Sequence, residues 1–341
     1  MILSIYETEG KFDKIYENLC TQNCIRQILE HYGVKDYFKF FNTTFDIKFM
    51  KGTDGDNEIE FEVNESIMLD GYEKKLTRFK SKDADSLLIF QENKKTLEAG
   101  LPVVVDVNLY EMEYSETYQI YNNKHSVILS GVVNDNPVVI DNYVWKFKGE
   151  VPLEQYLKAR SSECPLDDSP FSGVPILNSY CIVPPDGWKG DPAELLHATL
   201  HETLFRYYEE TFPEKDQIYK GVNGLKLIID LLESGKTLPP DKRLKNIIGV
   251  RRLVLFMKTS LSFHQQYVMK LSEMLNIKET KEYIDELSVS INLLDKFTYV
   301  IIKAMYREDI EIYNRILNYY IELMDAEEAR YQVLKDLCKI L

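Results

Sequence analysis

Cysteine, histidine and long apolar runs are all scarce in this sequence. The five cysteines (Cys20, Cys24, Cys164, Cys181 and Cys338) are odd in number and contain no CxxC pair. That pattern argues against a disulfide scaffold or a cysteine-built zinc site, and it fits reduced thiols in a cytoplasm. No apolar stretch approaches the roughly 18 residues a membrane span needs. The opening residues lack the basic segment, apolar segment and small-residue cleavage site of a secretory signal, so a cytoplasmic protein is expected. Net positive charge is also missing: the formal charge is −14. General nucleic-acid binding is therefore not expected, and an acidic partner would have to find a local basic patch. The chain carries neither an internal repeat nor a low-complexity tract.

What is present divides in two. A chain of 341 residues exceeds one typical core. Residues 1–184 mix helix and strand signals. Residues 59–63 alternate as a strand, and residues 38–50 are aromatic-rich and strand-like. A helix is expected over 81–99, closed by Gly100, then a buried strand over 101–109. A hairpin follows over 126–143 with its turn at Asn134-Asp135-Asn136. A short helix over 151–160 and a closing strand over 176–183 complete the domain. Residues 185–192 hold turn-formers around Trp188 and read as a linker. Residues 193–341 read as helix after helix without a strand signal. Asp191-Pro192 supplies an N-cap and a first-turn proline, and one long helix is expected over 242–275. The expected class is α+β, with a mixed domain followed by an all-α helical bundle.

Residues 18–33 dominate the chemistry. Ile25, Ile28, Leu29 and Tyr32 fall on one helical face, and Gly33 terminates it. Cys20 stands at the mouth of that helix, where free N–H groups and the helix dipole favour a thiolate. A second group lies across one hairpin: His125 heads a strand and Asp141 ends the next, sixteen positions on. In an antiparallel pair this places imidazole and carboxylate side by side, with Asn142 aimed to the other face. A cysteine nucleophile needs such a base and orienter. Cysteines at helix starts are also common core residues, and a histidine heading a strand is often structural. The three residues alone leave both readings open.

These residues resemble a known arrangement. The first domain resembles the papain-like fold of cysteine peptidases. In the bacteriocin-processing branch the catalytic cysteine precedes a helix ending in tyrosine and glycine. Cys20 to Gly33 has that branch's interval, which selects Cys20 over Cys24. The stretch from Gly100 to Tyr114, followed by His125-Ser126-Val127-Ile128, is similar to the butirosin biosynthesis protein H N-terminal domain family over roughly residues 14–184. The helical extension is usual there too. Thr21-Gln22-Asn23 depart from the small or hydroxyl residues that often follow that family's cysteine.

The resemblance implies an acyltransferase of antibiotic-type biosynthesis. It would move an acyl group from the phosphopantetheine thioester of an acyl or peptidyl carrier protein, through acyl-Cys20, to a small-molecule amine, forming an amide. The chain itself would need no cofactor. His125 would act as acid and base with Asp141 as its orienter. The oxyanion would take the Cys20 N–H plus a side-chain donor, with Asn18 and Gln22 as candidates. The aromatic segments over 37–49 and 110–121 are candidates for an acyl shield or for plain core. Two other readings stand beside this one: a cysteine peptidase or amidase with the same triad, and a catalytically inactive papain-like scaffold.

Elsewhere the signals are weaker. Lys242, Arg243, Lys245, Arg251, Arg252 and Lys258 form the one dense basic run. Lys245, Arg251 and Arg252 are the carrier-docking candidates, against a plain solvated helix face. His197 and His201 stand one turn apart near Glu194 and Glu202 without a third metal ligand, so no metal is expected. Asp54, Asp56, Glu58 and Glu60 miss the EF-hand spacing. His31 and His264 receive no role, and Trp145 and Trp188 read as packing residues. The bundle could cover the active site, bind the acceptor or build a homodimer.

Overall fold

The computed structural model describes residues 2–3, 5, 19–43, 47–51, 59–63, 67–142, 146–209, 218–307 and 310–341, with backbone only at 47–51, 59–63, 70, 218–220 and 310. In chain order the elements are α1 (Cys20–His31), β1 (Ile47–Lys51), β2 (Ile59–Val63), α2 (Asp70–Glu73), β3 (Thr77–Phe79), α3 (Ser86–Glu98), β4 (Val103–Asn108), β5 (Lys124–Val133), β6 (Asn136–Asp141), β7 (Phe147–Glu150), α4 (Leu153–Arg160), β8 (Tyr180–Ile182), α5 (Pro192–Thr203), β9 (Ile218–Lys220), α6 (Gly221–Gly235), α7 (Pro240–Leu275), α8 (Lys281–Met305) and α9 (Ile310–Ile340). The protein is a mixed α+β chain. No described helix is long and apolar enough to cross a membrane.

The chain forms two compact units. Unit 1 comprises Met1–Phe41 and Ile67–Lys189, and unit 2 comprises Asn42–Ser66 and Gly190–Leu341. This division differs from the sequence reading at two places. Residues 42–66, read with the first domain, sort with the helices. Residues 185–189, read as linker, belong to unit 1. There Trp188 is buried, its Nε1 donates to the Pro184 carbonyl at 2.7 Å, and its ring stacks with Tyr72. Aromatic packing overrides the turn-forming composition around it.

Unit 1 is built on a six-stranded antiparallel sheet in the order β3-β8-β4-β5-β6-β7. One face carries Val103, Val105, Val107, Val127, Leu129 and Val139, packed against Phe90 and Leu97 of α3 and Tyr156 and Ala159 of α4. Helix α1 packs on β5. Its Ile25, Ile28 and Leu29 are fully buried, as their helical spacing predicts. Gly33, at φ +75°, ends α1 in a Schellman motif: Val34 N–H reaches Leu29 O and Gly33 N–H reaches Glu30 O. Gly100 closes α3 in the same way, and Asp85 caps its start by accepting from Leu87 and Leu88 N–H. Strands β3 and β7 and helix α2 carry no signal the sequence reading used. Each is only three or four residues long, too short for a periodicity to register.

Unit 2 corrects the expectation of an all-α C-terminal half. Strand β9 pairs antiparallel with β1, and β1 pairs with β2, making a three-stranded sheet. A strand of three residues lies below the reach of pattern reading. The strand expected over 38–50 starts only at Ile47, and Tyr37–Phe40 form a 3-10 turn instead. The helices otherwise follow the apolar periodicity. Asp191 caps α5 through Ala193 and Glu194 N–H, with Pro192 in its first turn. Helix α7 packs on α8 and α8 on α9, with α6 against α7 and α9. After Thr203 the backbone widens to a π-helical turn over Leu204–Glu209, where α5 ends.

Candidate active site

Three elements of unit 1 bring the site together. Helix α1 opens at Cys20, and Leu19 before it offers no capping side chain. The first-turn N–H groups are therefore left to favour negative charge at the sulfur. Two hydrogen bonds fix this end of α1. Asn23 Nδ2 donates to the Asn142 carbonyl at 2.8 Å, and the Thr21 and Ser126 hydroxyls meet at 2.7 Å. Asn23 is itself held by Arg26, which pairs with Glu30.

Strands β5 and β6 supply the base and its orienter. Their connection is a two-residue turn, Asn134-Asp135, with φ of 48° and 63°, the backbone of a type I′ hairpin. The ladder does not run straight. It pairs Val133 with Asn136 and Gly131 with Val138, then shifts between Gly131 and Leu129, so that Leu129 faces Val139 and Ile128 faces Ile140. Ser130 is the extra residue of a β-bulge. Continuing the shifted register sets Asp141 opposite Val127, on the sheet face that His125 also occupies. His125 Nε2 meets Asp141 Oδ1 at 2.9 Å, both side chains buried. A carboxylate only accepts, so Nε2 carries the proton, and Nδ1 remains for the thiol.

The sulfur of half-buried Cys20 lies within hydrogen-bonding reach of the His125 ring. Burial alone would push the Cys20 thiol up; the hydrogen bond and charge of His125 offset this and leave it below the ordinary thiol value. Burial alone would pull His125 down; the Asp141 carboxylate and the Cys20 sulfur outweigh it and push the imidazole up to about 10. The two shifts are one statement, since each charge stabilises the other. The arrangement favours a thiolate–imidazolium pair at neutral pH. Cys24, four residues on, is different in kind. It is buried, its Sγ points at the Ser126 carbonyl at 3.3 Å, and burial first, then the neighbouring negative groups, pushes its thiol well up.

Several residues of the site carry no role that the sequence alone assigns. Ser126 Oγ donates to Asp106 Oδ1 at 2.6 Å, and Ser179 Oγ donates to Asp106 Oδ2 at 2.5 Å. Lys124 Nζ lies 3.4 Å from the same Oδ2. Burial would raise this carboxyl; Lys124 and the two hydroxyls outweigh it and hold it below the usual range. A charge in the middle of the apolar run of β4 was the available signal, because a buried carboxylate requires partners. Tyr114 is the other addition: its hydroxyl donates to Asp141 Oδ2 at 3.1 Å.

The remaining candidates are placed as follows. Asn18 lies outside the described residues, as do Asp54, Asp56, Glu58 and Trp145. Gln22 is half-buried in the first turn of α1, and the helix's 100° step sets its Cβ on the opposite side from that of Cys20. Lys245, Arg251 and Arg252 lie on α7 of unit 2. Lys245 is exposed and the two arginines half-buried, Arg251 reaching Met305 Sδ at 3.6 Å. In the same run Lys258 pairs with Asp295. The exposed rings of His197 and His201 lie with centroids 4.1 Å apart and planes tilted by 37°. No cluster of three metal-capable side chains occurs among the described residues. His264 is buried, with Thr43 Oγ1 and Tyr283 OH on its two ring nitrogens. No family model matches the chain, and a search of curated proteins finds no match either.

Proposed function

We propose that this chain is a cysteine-dependent acyltransferase whose first unit has a papain-like fold. The observation that carries the reading is His125 held by Asp141 through Nε2 at 2.9 Å, its other face against a helix-terminal thiol. The resemblance over residues 100–128 supplies the reaction class. In the first half-reaction the Cys20 thiolate attacks the carbonyl of a carrier-bound thioester. The bond between carbonyl carbon and pantetheine sulfur breaks, and the His125 proton passes to the departing thiolate. In the second, an amine attacks acyl-Cys20, gives its proton to His125 and forms the amide as the Cys20 thiolate leaves. Asp141 steadies the imidazolium in between. The Cys20 N–H is one oxyanion donor, with Asn18, rather than Gln22 on the opposite side of α1, as the candidate for the second. The basic run on α7 is the docking surface for an acidic carrier protein. Charge reversal at Arg251 and Arg252 is expected to weaken transfer from a carrier and to leave transfer from a small thioester intact.

The test is intact-mass measurement after mixing with acyl-loaded carrier proteins and small acyl thioesters. An acyl adduct confined to Cys20, discharged by amines faster than by water and absent in Cys20→Ala, supports the reading. Cleavage of peptides without any thioester-derived adduct replaces it with a peptidase. No covalent adduct from either substrate class leaves a scaffold.

A further inference from the structure

The orienting carboxylate has two oxygens, and the triad uses one. Asp141 Oδ1 faces His125, and Oδ2 accepts from the Tyr114 hydroxyl at 3.1 Å. Tyr114 lies in the connection between β4 and β5, after a 3-10 turn over Leu109–Glu111. Its ring is placed independently of that hydrogen bond. It stacks on Phe147 with centroids 4.0 Å apart and planes 3° from parallel. Phe147 is the cross-strand partner of Asp141 in the β6–β7 ladder. The residue opposite the carboxylate thus provides the platform for the phenol that reaches it. The phenol remains a donor across the working range, since burial and the Asp141 charge both push its ionisation well up.

We infer that Tyr114 is a positioning residue of the Cys20–His125–Asp141 site, acting through Asp141 and touching neither sulfur nor substrate. With both oxygens engaged, the carboxylate plane cannot turn about its Cβ–Cγ bond, and Oδ1 stays on the imidazole. Without the phenol, Oδ2 is a buried acceptor that has lost this donor, and rotation toward another one pulls Oδ1 off line. The imidazolium, and with it the thiolate, is then held less firmly. The inference rests on the proposed catalytic triad but not on the identity of its substrate.

The deciding measurement is the pH dependence of Cys20 alkylation by iodoacetamide, read by mass spectrometry on the full chain. Tyr114→Phe keeps the ring stack and removes one oxygen, so the thermal midpoint should stay where it is. The midpoint of the alkylation profile should move up by about half a pH unit or more, slowing labelling roughly threefold on the acid limb. Phe147→Leu removes the platform while leaving the hydroxyl, and should produce a smaller shift of the same sign. A Tyr114→Phe profile superimposable on the wild type, or one displaced to lower pH, overturns the inference. Because the alkylating probe is not the substrate, a shifted profile with no acyl adduct on Cys20 would retain Tyr114 and remove the acyltransferase. An adduct with an unshifted profile would do the reverse. Where transfer is measurable, turnover should fall with the KM for the thioester unchanged.

Discussion

His125 and Asp141 face one another because a bulge at Ser130 absorbs the one residue by which β5 exceeds β6 in their paired stretch. Before the bulge the paired positions, such as Val133 and Asn136, sum to one more than those beyond it, such as Ile128 and Ile140. An uninterrupted ladder would set Asp141 opposite Ile128 and send its carboxylate to the other face of the sheet. The Ser130 hydroxyl donates to the Val138 carbonyl, and its own carbonyl accepts from Leu3 N–H, so the bulge is pinned on two sides.

Inserting one residue between Ile128 and Leu129, beyond the bulge, would set Ile128 opposite Asp141 and should therefore disconnect the triad without changing any of its members. Cys20 labelling at neutral pH is expected to slow about tenfold or more, while Ser130→Ala, which keeps the register, labels like the wild type. Mass spectrometry of both variants, with circular dichroism to verify the sheet, gives the answer. Fast labelling in a folded insertion variant would mean that the register is not what aligns the pair.

The paired shifts predict a pH profile. Cys20 ionises below the ordinary thiol value, so labelling should reach half its maximum below the pH expected of a free cysteine, about 8.5. His125 keeps its proton up to about 10, so the proposed acyl transfer should fall again only as that pH is approached. Cys24 should stay unlabelled throughout. Equal modification of Cys20 and Cys24 would contradict the contrast between them.

Asp141→Asn retains shape and removes charge. The imidazolium loses its counter-charge, and turnover should drop at least about tenfold while the thiolate forms only at higher pH. Kinetics and the alkylation midpoint should move together.

A separate pH dependence sits in unit 2. Burial pushes His264 down to about 3, against 6.5 for an ordinary histidine. The unfolded chain therefore binds a proton between those values and the folded one does not. This contribution to stability is complete above about 6.5 and is lost as pH falls toward 3. Urea titrations at several pH values should show the decline, and His264→Gln should flatten that part of it. An identical pH dependence in the variant would exclude His264 as its source.

The helices of unit 2 also enclose an ion pair. Arg330 NH2 and Glu327 Oε2 are in contact and almost without solvent exposure, and Tyr207 and Tyr208 hydroxyls reach the same carboxylate. Removing one partner, as in Glu327→Gln, leaves a buried unmatched charge and should cost about 3 kcal/mol or more. Changing both, with Arg330→Met added, should cost less than the sum of the two single changes by chemical denaturation.

Much of the site was legible because it depends on local signals. A helix start, an apolar face ending in glycine and an Asn-Asp turn each announce themselves in a few residues, and Cys20, His125 and Asp141 follow from them. The one-residue bulge does not. A straight hairpin and a bulged one have the same composition, and only the ladder shows which face Asp141 takes. Tyr114 and Ser179 come from distant segments, so no spacing could have joined them to Asp141 and Asp106. The reach of residues 42–66 into the helical half was hidden for a related reason: their pairing partner β9 is three residues long and more than 150 positions away.

That pairing decides how the protein can be dissected. A chain stopped at Lys189 would keep β1 and β2 but discard β9, exposing an unpaired strand edge prone to sticking to its neighbours. Phe41 and Met68, by contrast, already bridge one another where the excursion leaves and returns. Excising residues 42–66 behind a short turn across that bridge, together with the cut after Lys189, is the surgery that respects the sheet.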